Sequence, residues 1–458
     1  MTGHPSRTVM ALVVATLTIV AGCGGFAGTD APTPTGTVSD STTPRSASPT
    51  GAPADDTATP TNASTSRPTS VITTSAPTRT TPTARSTTAR SGTTTPERTD
   101  LDDVSIPVRG AGSLPFDVNR TYRRTMTLLG NPAGVDPPDQ IYLYRPNTPW
   151  KPTVQDPFAR TLLDARRESN FTRERHDGVV LGVTGNESPD VLRFTIAHEF
   201  VHNAQFERVH DTPGLEAAFA DEHQRSRVGI ALLEGGASYV ATQYVRQYTD
   251  RNESWLRNAT DQYLNASPAG KYVWAPYHFG HRYVAARADD PIDHWRLYRN
   301  PPNTTEAIVH GLAPGSEPPA ALSMTVDADR YEAVGRETRG EMFVRVVLAA
   351  ELPEKRAARG ASGWGNDVLV TLEGSDRRGF AWATRWDSPS DAAEFVETFR
   401  AAMDRRGERR AGYWTGDDAA IRVVRVAPET VVVVTGPRAF VTEVGTSGHN
   451  SSVTVSTP

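Results

Sequence analysis

The sequence predicts an α+β fold, and three observations carry that prediction. Val191–Glu207 is an apolar, helix-compatible stretch holding two histidines one turn apart. Ala231–Tyr239 is a second apolar helical run with a single acid inside it. From Arg336 onward the texture changes to short β-like runs alternating with helical ones. The expected organisation is a leader over 1–22, a stalk over 23–103, a helical domain over 104–325 and a small α+β module with an antiparallel sheet over 326–458.

The chain has 458 residues, of which 37% are hydrophobic. That share is low for a chain packed throughout, so part of it is expected to stay unpacked. The net charge of -5 and the pI near 6.1 give no electrostatic footprint for nucleic acid, and no nucleic-acid partner is expected. The basic residues are nearly all arginine; Lys151, Lys271 and Lys355 are the lysines.

The N-terminus reads as an export signal. Arg7 precedes an apolar run, Val9–Val20, and the small residues Ala21 and Gly22 follow. The run is too short to cross about 30 Å of hydrocarbon as a helix. Val20-Ala21-Gly22-Cys23 has the form of a lipobox, in which cleavage before Cys23 frees its thiol for lipidation. Cys23 is the one cysteine in the chain, so it has no partner for an internal disulfide. There is no twin-arginine pair, and general secretion to the outer face of the cell membrane is expected, with a lipid anchor at Cys23.

Ala27 to about Thr99 is dominated by Thr, Ser, Pro and Ala. Such a stretch buries too little apolar surface to offset its ordering entropy, and it reads as a solvated, mucin-like stalk. Glycosylation sequons at Asn62, Asn119, Asn170, Asn186, Asn252, Asn258, Asn265, Asn303 and Asn450 agree with an exported glycoprotein.

Globular sequence begins near Val104. In the C-terminal part a helix is predicted over Glu341–Glu351, strands over Val368–Leu372 and Phe380–Arg385, and a helix over Asp391–Met403. In that last helix Ala392, Phe395, Val396, Phe399 and Met403 recur at helical spacing. Ile421–Val426 and Thr430–Thr435 read as two strands joined at Ala427-Pro428-Glu429.

The chemistry sits in His198-Glu199-Phe200-Val201-His202. Four residues is just over one helical turn, so both imidazoles leave one face and their nitrogens can ligate one Zn²⁺. Glu199 lies beside such a metal, placed to take a proton from water and return it to a leaving amine. The bland alternative is a pair of core histidines satisfied by carboxylates. Three protein ligands make an open zinc site. The position six residues after His202 is Arg208, and His210 and His223 have no supporting pattern. Glu234 has one: an acid inside Ala231-Leu232-Leu233-Glu234-Gly235-Gly236-Ala237 is costly unless paired. The small residues after it let its helix approach the first closely. Glu234 is the expected third ligand. In Trp274–His281, Tyr277 is the expected oxyanion donor, with His278 and His281 as rivals.

These residues resemble the gluzincin metallopeptidases, which carry H-E-x-x-H and a downstream glutamate. The resemblance implies a zincin-like domain with its ligands on two packed helices below an edge strand, for which Val179–Val183 is the candidate. Tyr277-x-x-Gly280 is similar to the Y-x-x-G of some members. Where thermolysin-type members have an aspartate four residues after the third ligand, this chain has Ser238. A wider similarity is to exported prokaryotic, haloarchaeal-type surface lipoproteins. It runs through Ala197–Gln205, Leu232–Ala237, Tyr277–Gly280, Pro301–His310, Gly363–Asp367 and Trp386-Asp387-Ser388. His310 and Trp364 are expected to be structural. The implied function is a zinc-dependent peptidase held at the outer cell surface, acting on a peptide or protein substrate with zinc-activated water. The alternative is a catalytically inactive zincin-scaffold surface or adhesion lipoprotein. A solute-binding protein would need repeated βαβ units, which the sequence lacks.

Overall fold

The computed structural model describes residues 101–147, 151–165, 178–249, 255–375, 377–416 and 419–457. The expected leader 1–22, Cys23 and the expected stalk as far as residue 100 lie outside the described residues, as do Asn62, Asn170 and Asn252. All described residues fall in one contact unit. Among the described residues no helix is long and apolar enough to cross a membrane.

The N-terminal part opens with three short parallel strands in the order β1-β2-β3: β1 (Val108–Gly110), β2 (Ile141–Tyr144) and β3 (Val179–Gly182). Parallel neighbours need a crossover, and helix α1 (Val118–Leu128) lies in the first one. Asp117 caps α1 by accepting from the Arg120 N–H at 3.1 Å. The strand expected before the motif helix is β3, and it is an edge strand.

The helical part follows: α2 (Pro189–Glu207), α3 (His223–Tyr248), α4 (Pro268–Ala285) and α5 (Thr305–His310). Almost every residue of α3 from Val228 to Val245 is buried, because α2 packs on one side and α4 on another. Among the small residues after Glu234, Gly235 serves the approach of α4. A Cβ on Gly235 would lie 2.3 Å from the carbonyl carbon of Gly280, and one on Gly280 would lie 1.9 Å from the Ala231 oxygen. The two backbones touch, and glycine on both sides permits it.

The C-terminal part holds a seven-stranded antiparallel sheet in the order β5-β6-β7-β11-β10-β9-β8. Its strands are β5 (Glu332–Glu337), β6 (Trp364–Glu373), β7 (Arg378–Trp386), β8 (Arg409–Arg410), β9 (Tyr413–Thr415), β10 (Ala420–Ala427) and β11 (Thr430–Gly436). The expected helices are α6 (Glu341–Ala349) and α7 (Pro389–Arg406). A third sheet joins β12 (Gly445–His449), β13 (Ser452–Thr457) and β4 (Ser323–Ala328), with β4 parallel to β13. β4 runs across the expected boundary at 325/326.

Alternate residues of the large sheet enter different cores. Leu369, Trp382, Val431 and Val433 join the helices in the main core, while Val370, Ala381, Val432 and Val434 meet Met324, Val453 and Val455 of the third sheet. Burial on both faces explains why the run 431–434 is apolar without alternation. The main core continues through the helical part, and Phe158 marks the passage. Its ring meets Phe343 at 5.6 Å, Phe380 at 5.4 Å and Trp382 at 5.7 Å. The observed architecture is thus mixed helix and sheet, with a predominantly antiparallel C-terminal part, as an α+β reading requires.

Candidate metal centre

Helix α2 starts where the sequence gives it a start. Ser188 caps it by accepting from the Val191 N–H, Pro189 occupies the first turn and Asp190 faces the positive end of the helix. Beyond that turn the helix is buried nearly all round. Ile196, Ala197, Phe200, Val201 and Ala204 are each fully enclosed. His198 and His202 have no solvent to turn to, so their polar atoms must be satisfied inside.

They are satisfied at Glu234. His198 Nε2 lies 2.9 Å from His202 Nε2, and each lies 3.2 Å from Glu234 Oε2. Three atoms able to donate lone pairs therefore form a near-equilateral triangle. Ligands at ~2.0–2.1 Å from a tetrahedral ion stand about 3.3 Å apart, so the triangle fits one small metal ion. The second carboxylate oxygen, Glu234 Oε1, is buried with no hydrogen-bond partner. A carboxylate with zero exposure and one oxygen unpaired is expensive as a purely structural group. His198, His202 and Glu234 can together hold a metal ion.

The charges obey the same logic. Burial works against ionisation of Glu234, but the two imidazoles outweigh it and hold the carboxyl down at about 2. Burial also opposes a charge on His202, yet Glu234, with help from Glu199 and Gln205, holds it up to about 9. Burial, and the charge on His202, push His198 the other way, below its ordinary value. Without metal the cluster is thus one anion, one cation and one neutral ring.

Outer contacts fix the rings. His202 Nδ1 donates to Gln205 Oε1 at 2.6 Å, and the Gln205 amide nitrogen donates to the Leu233 carbonyl at 2.9 Å and to the Tyr298 hydroxyl at 2.8 Å. A carbonyl only accepts, so the Leu233 contact sets which way the amide points. That in turn places a proton on Nδ1 of His202 and turns Nε2 toward the cluster. Ser238 Oγ, four residues after Glu234, stands 3.5 Å from His198 Nδ1. Phe194 and Phe206 wall the two rings at 6.0 Å each.

Glu199 is 6% exposed and is not one of the three converging groups, although its field reaches His202. Tyr277 is buried on α4, where its ring meets Trp274 at 5.1 Å and it lies within electrostatic reach of Arg227. The tyrosine tied to the cluster by hydrogen bonds is Tyr298, whose hydroxyl occupies the space that a Cβ on Gly236 would fill. Sequence reasoning gave Gln205 and Tyr298 no role. For Gln205 the signal was its place one turn beyond His202; for Tyr298 there was none. His278 and His281 are buried and held down at about 3 and about 4, chiefly by burial. His310 pairs with Glu341 at 2.8 Å, and Trp364 Nε1 donates to Asp367 at 3.0 Å.

Compared with known proteins, residues 329–444 match the family model described as Domain of unknown function (DUF8575). The match spans the seven-stranded sheet with α6 and α7 and includes none of the three converging residues. No curated protein and no solved structure matches the chain.

Proposed function

We propose that the chain is a zinc-dependent peptidase of the gluzincin type, on a zincin-like helical domain displayed at the outer cell surface by a lipid anchor at Cys23. The observation that carries the reading is the convergence of His198 Nε2, His202 Nε2 and Glu234 Oε2 within 3.2 Å of one another. Two nitrogens and one oxygen from two rigid helices suit zinc better than a hard cation. Bound there, zinc supplies Lewis acidity toward a carbonyl oxygen and toward water.

The remaining chemistry falls to the chain's own residues. Glu199 follows His198 directly and stays off the metal, so its carboxylate can accept a proton from the attacking water and hand it to the leaving amine nitrogen. Gln205 and Ser238 keep the imidazoles oriented through that transfer. Tyr277 is the proposed oxyanion donor. The substrate is a peptide or protein segment outside the cell, consistent with the export signal and the stalk.

A second reading has an observation of its own. His198, Glu199 and His202 are 3%, 6% and 6% exposed, and a covered metal position suits a structural ion in an inactive surface or adhesion protein. One experiment separates the two: zinc content and cleavage of a broad peptide library by the purified chain beside Glu199→Gln. The peptidase reading expects one zinc per chain in both, with turnover in the variant lower by about 10²–10⁴-fold. Zinc in both with cleavage by neither establishes the structural reading, and no zinc in either sinks both. Tyr277→Phe run alongside Tyr298→Phe tests the donor. Loss of kcat by about 10²–10³-fold is expected for Tyr277 only.

A further inference from the structure

A second group of ligating atoms lies away from the zinc cluster and uses parts of the sequence that the peptidase chemistry leaves unused. One carboxylate oxygen each from Glu306, Glu317 and Asp387 lie within 4.8 Å of one another. Glu306 comes from α5, Glu317 from the connection between α5 and β4, and Asp387 from the residue just after β7. The group therefore joins the helical part to the large sheet.

Acidic groups on a surface gather without consequence, but Glu306 is not on the surface. It is 5% exposed, no described group donates a hydrogen bond to it, and its carboxylate is aimed at the other two. The charged groups that act on Glu306 are all acids: Glu341, Glu317 and Asp387. Glu341, fully buried behind it, takes His310 for itself at 2.8 Å. The Arg385 guanidinium bonds Glu429 at 3.3 Å and the Ala321 carbonyl at 3.0 Å, and its charge reaches Asp387 but not Glu306. Burial, then Glu341, Glu317 and Asp387, push the Glu306 carboxyl up to about 8. A chain folded with this group alone bears either a buried proton or a buried uncompensated charge.

The scaffold beneath is fixed. Ala320 N–H donates to the Gly365 carbonyl at 2.9 Å, and Asn366 Nδ2 donates to the Ala320 carbonyl at 2.6 Å. Together with the Arg385 bond these clamp the connection carrying Glu317 onto β6 and β7. A Cβ at position 365 would lie 2.9 Å from Asp387 Oδ1, so a larger residue there would displace the Asp387 carboxylate.

We infer that Glu306, Glu317 and Asp387 form a calcium site that fastens the connection after α5 to the end of β7. The donors are all oxygen, which selects a hard cation over zinc. Calcium at ~2.3–2.6 Å accepts an irregular shell of oxygens drawn from three separate segments, whereas magnesium demands a near-ideal octahedron at ~2.0–2.1 Å. Glu317 and Asp387 are exposed, leaving room for the waters that complete a coordination number of ~6–8.

The test is thermal melting and calorimetry of the full chain, stripped with chelator and then titrated with CaCl₂ or MgCl₂. One Ca²⁺ per chain is expected, with a rise in Tm of roughly 3–5 °C at saturation and a weaker response to Mg²⁺. Glu306→Gln removes the response while melting at or above wild type in chelator, because it neutralises the buried acid. Asp387→Asn, at an exposed position, also removes it. Glu234→Gln keeps it, which separates this site from the zinc cluster. A wild-type chain indifferent to Ca²⁺, an equal response to Mg²⁺, or a full response in Glu306→Gln overturns the inference.

Discussion

Two buried carboxylates, Glu234 and Asp367, are both fully enclosed, and their surroundings are opposite in kind. Asp367 is surrounded by donors. It accepts from the backbone N–H of Arg339 at 2.7 Å, from that of Gly340 at 2.7 Å and from Trp364 Nε1 at 3.0 Å. Burial still pushes it up to about 6, against the pull of those bonds. Glu234 faces two imidazole nitrogens and keeps one oxygen unpaired. The first carboxylate ties the turn before α6 to β6, and its arrangement is complete. The second is complete only with a further positive charge, a proton or a metal. Burial therefore does not tell a structural acid from a ligand; the kind of partner does.

The contrast is sharpest under isosteric amide substitution. Glu234→Gln is expected to abolish stoichiometric zinc binding, since it removes the one anionic ligand, and to leave the fold intact. Asp367→Asn is expected to keep zinc and to lose about 2–4 kcal/mol of stability, because its N–H donors lose a charged acceptor. Metal analysis and denaturant melts on both variants check this. If both variants keep zinc and lose stability alike, Glu234 is a core acid like Asp367.

A smaller effect is expected at Gln205, which connects the cluster to Tyr298. Gln205→Leu keeps the volume but frees the Nδ1 proton of His202 to move. Zinc affinity should fall by about 10–100-fold with the fold retained. Competition against a chromophoric chelator measures it; unchanged affinity would reduce Gln205 to packing.

Legibility in the sequence follows the same division between local and distant partners. His198 and His202 were readable because helical spacing alone brings them together. Glu234 was readable because an acid in an apolar run demands a partner, although its partners lie 36 and 32 residues away. The hairpin of β10 and β11 was readable from its turn and its apolar runs. Tyr298 was not, since it meets Gln205 across 93 residues with no pattern around it. Of the first sheet only β3 was legible, as the strand before the motif helix; β1 and β2 are three and four residues long, and β1 is wholly exposed. The pairing of β4 with β13 joins Ser323 to Ser452 and is set by packing that no local pattern encodes.

The smallest expected effect is a slope against pH. In the metal-free chain Glu234 holds His202 up to about 9, against an ordinary value of 6.5. The folded chain then keeps a proton that the unfolded chain has released. The stabilisation is complete below pH 6.5 and disappears as pH rises through about 9. Zinc replaces that proton on Nε2, so the loaded chain loses this contribution to the slope, and zinc affinity rises with pH. Glu306, raised to about 8, also lowers stability as pH rises, above its ordinary value of 4.5, but equally in both samples. The difference between melts in chelator and in zinc therefore isolates the cluster. A steeper fall in Tm between pH 6.5 and 9 in chelator than with zinc, and steeper than in Glu234→Gln in chelator, is the expected outcome. Equal slopes with and without zinc would mean that the His202–Glu234 pair is an ordinary buried ion pair, and the contrast with Asp367 would vanish.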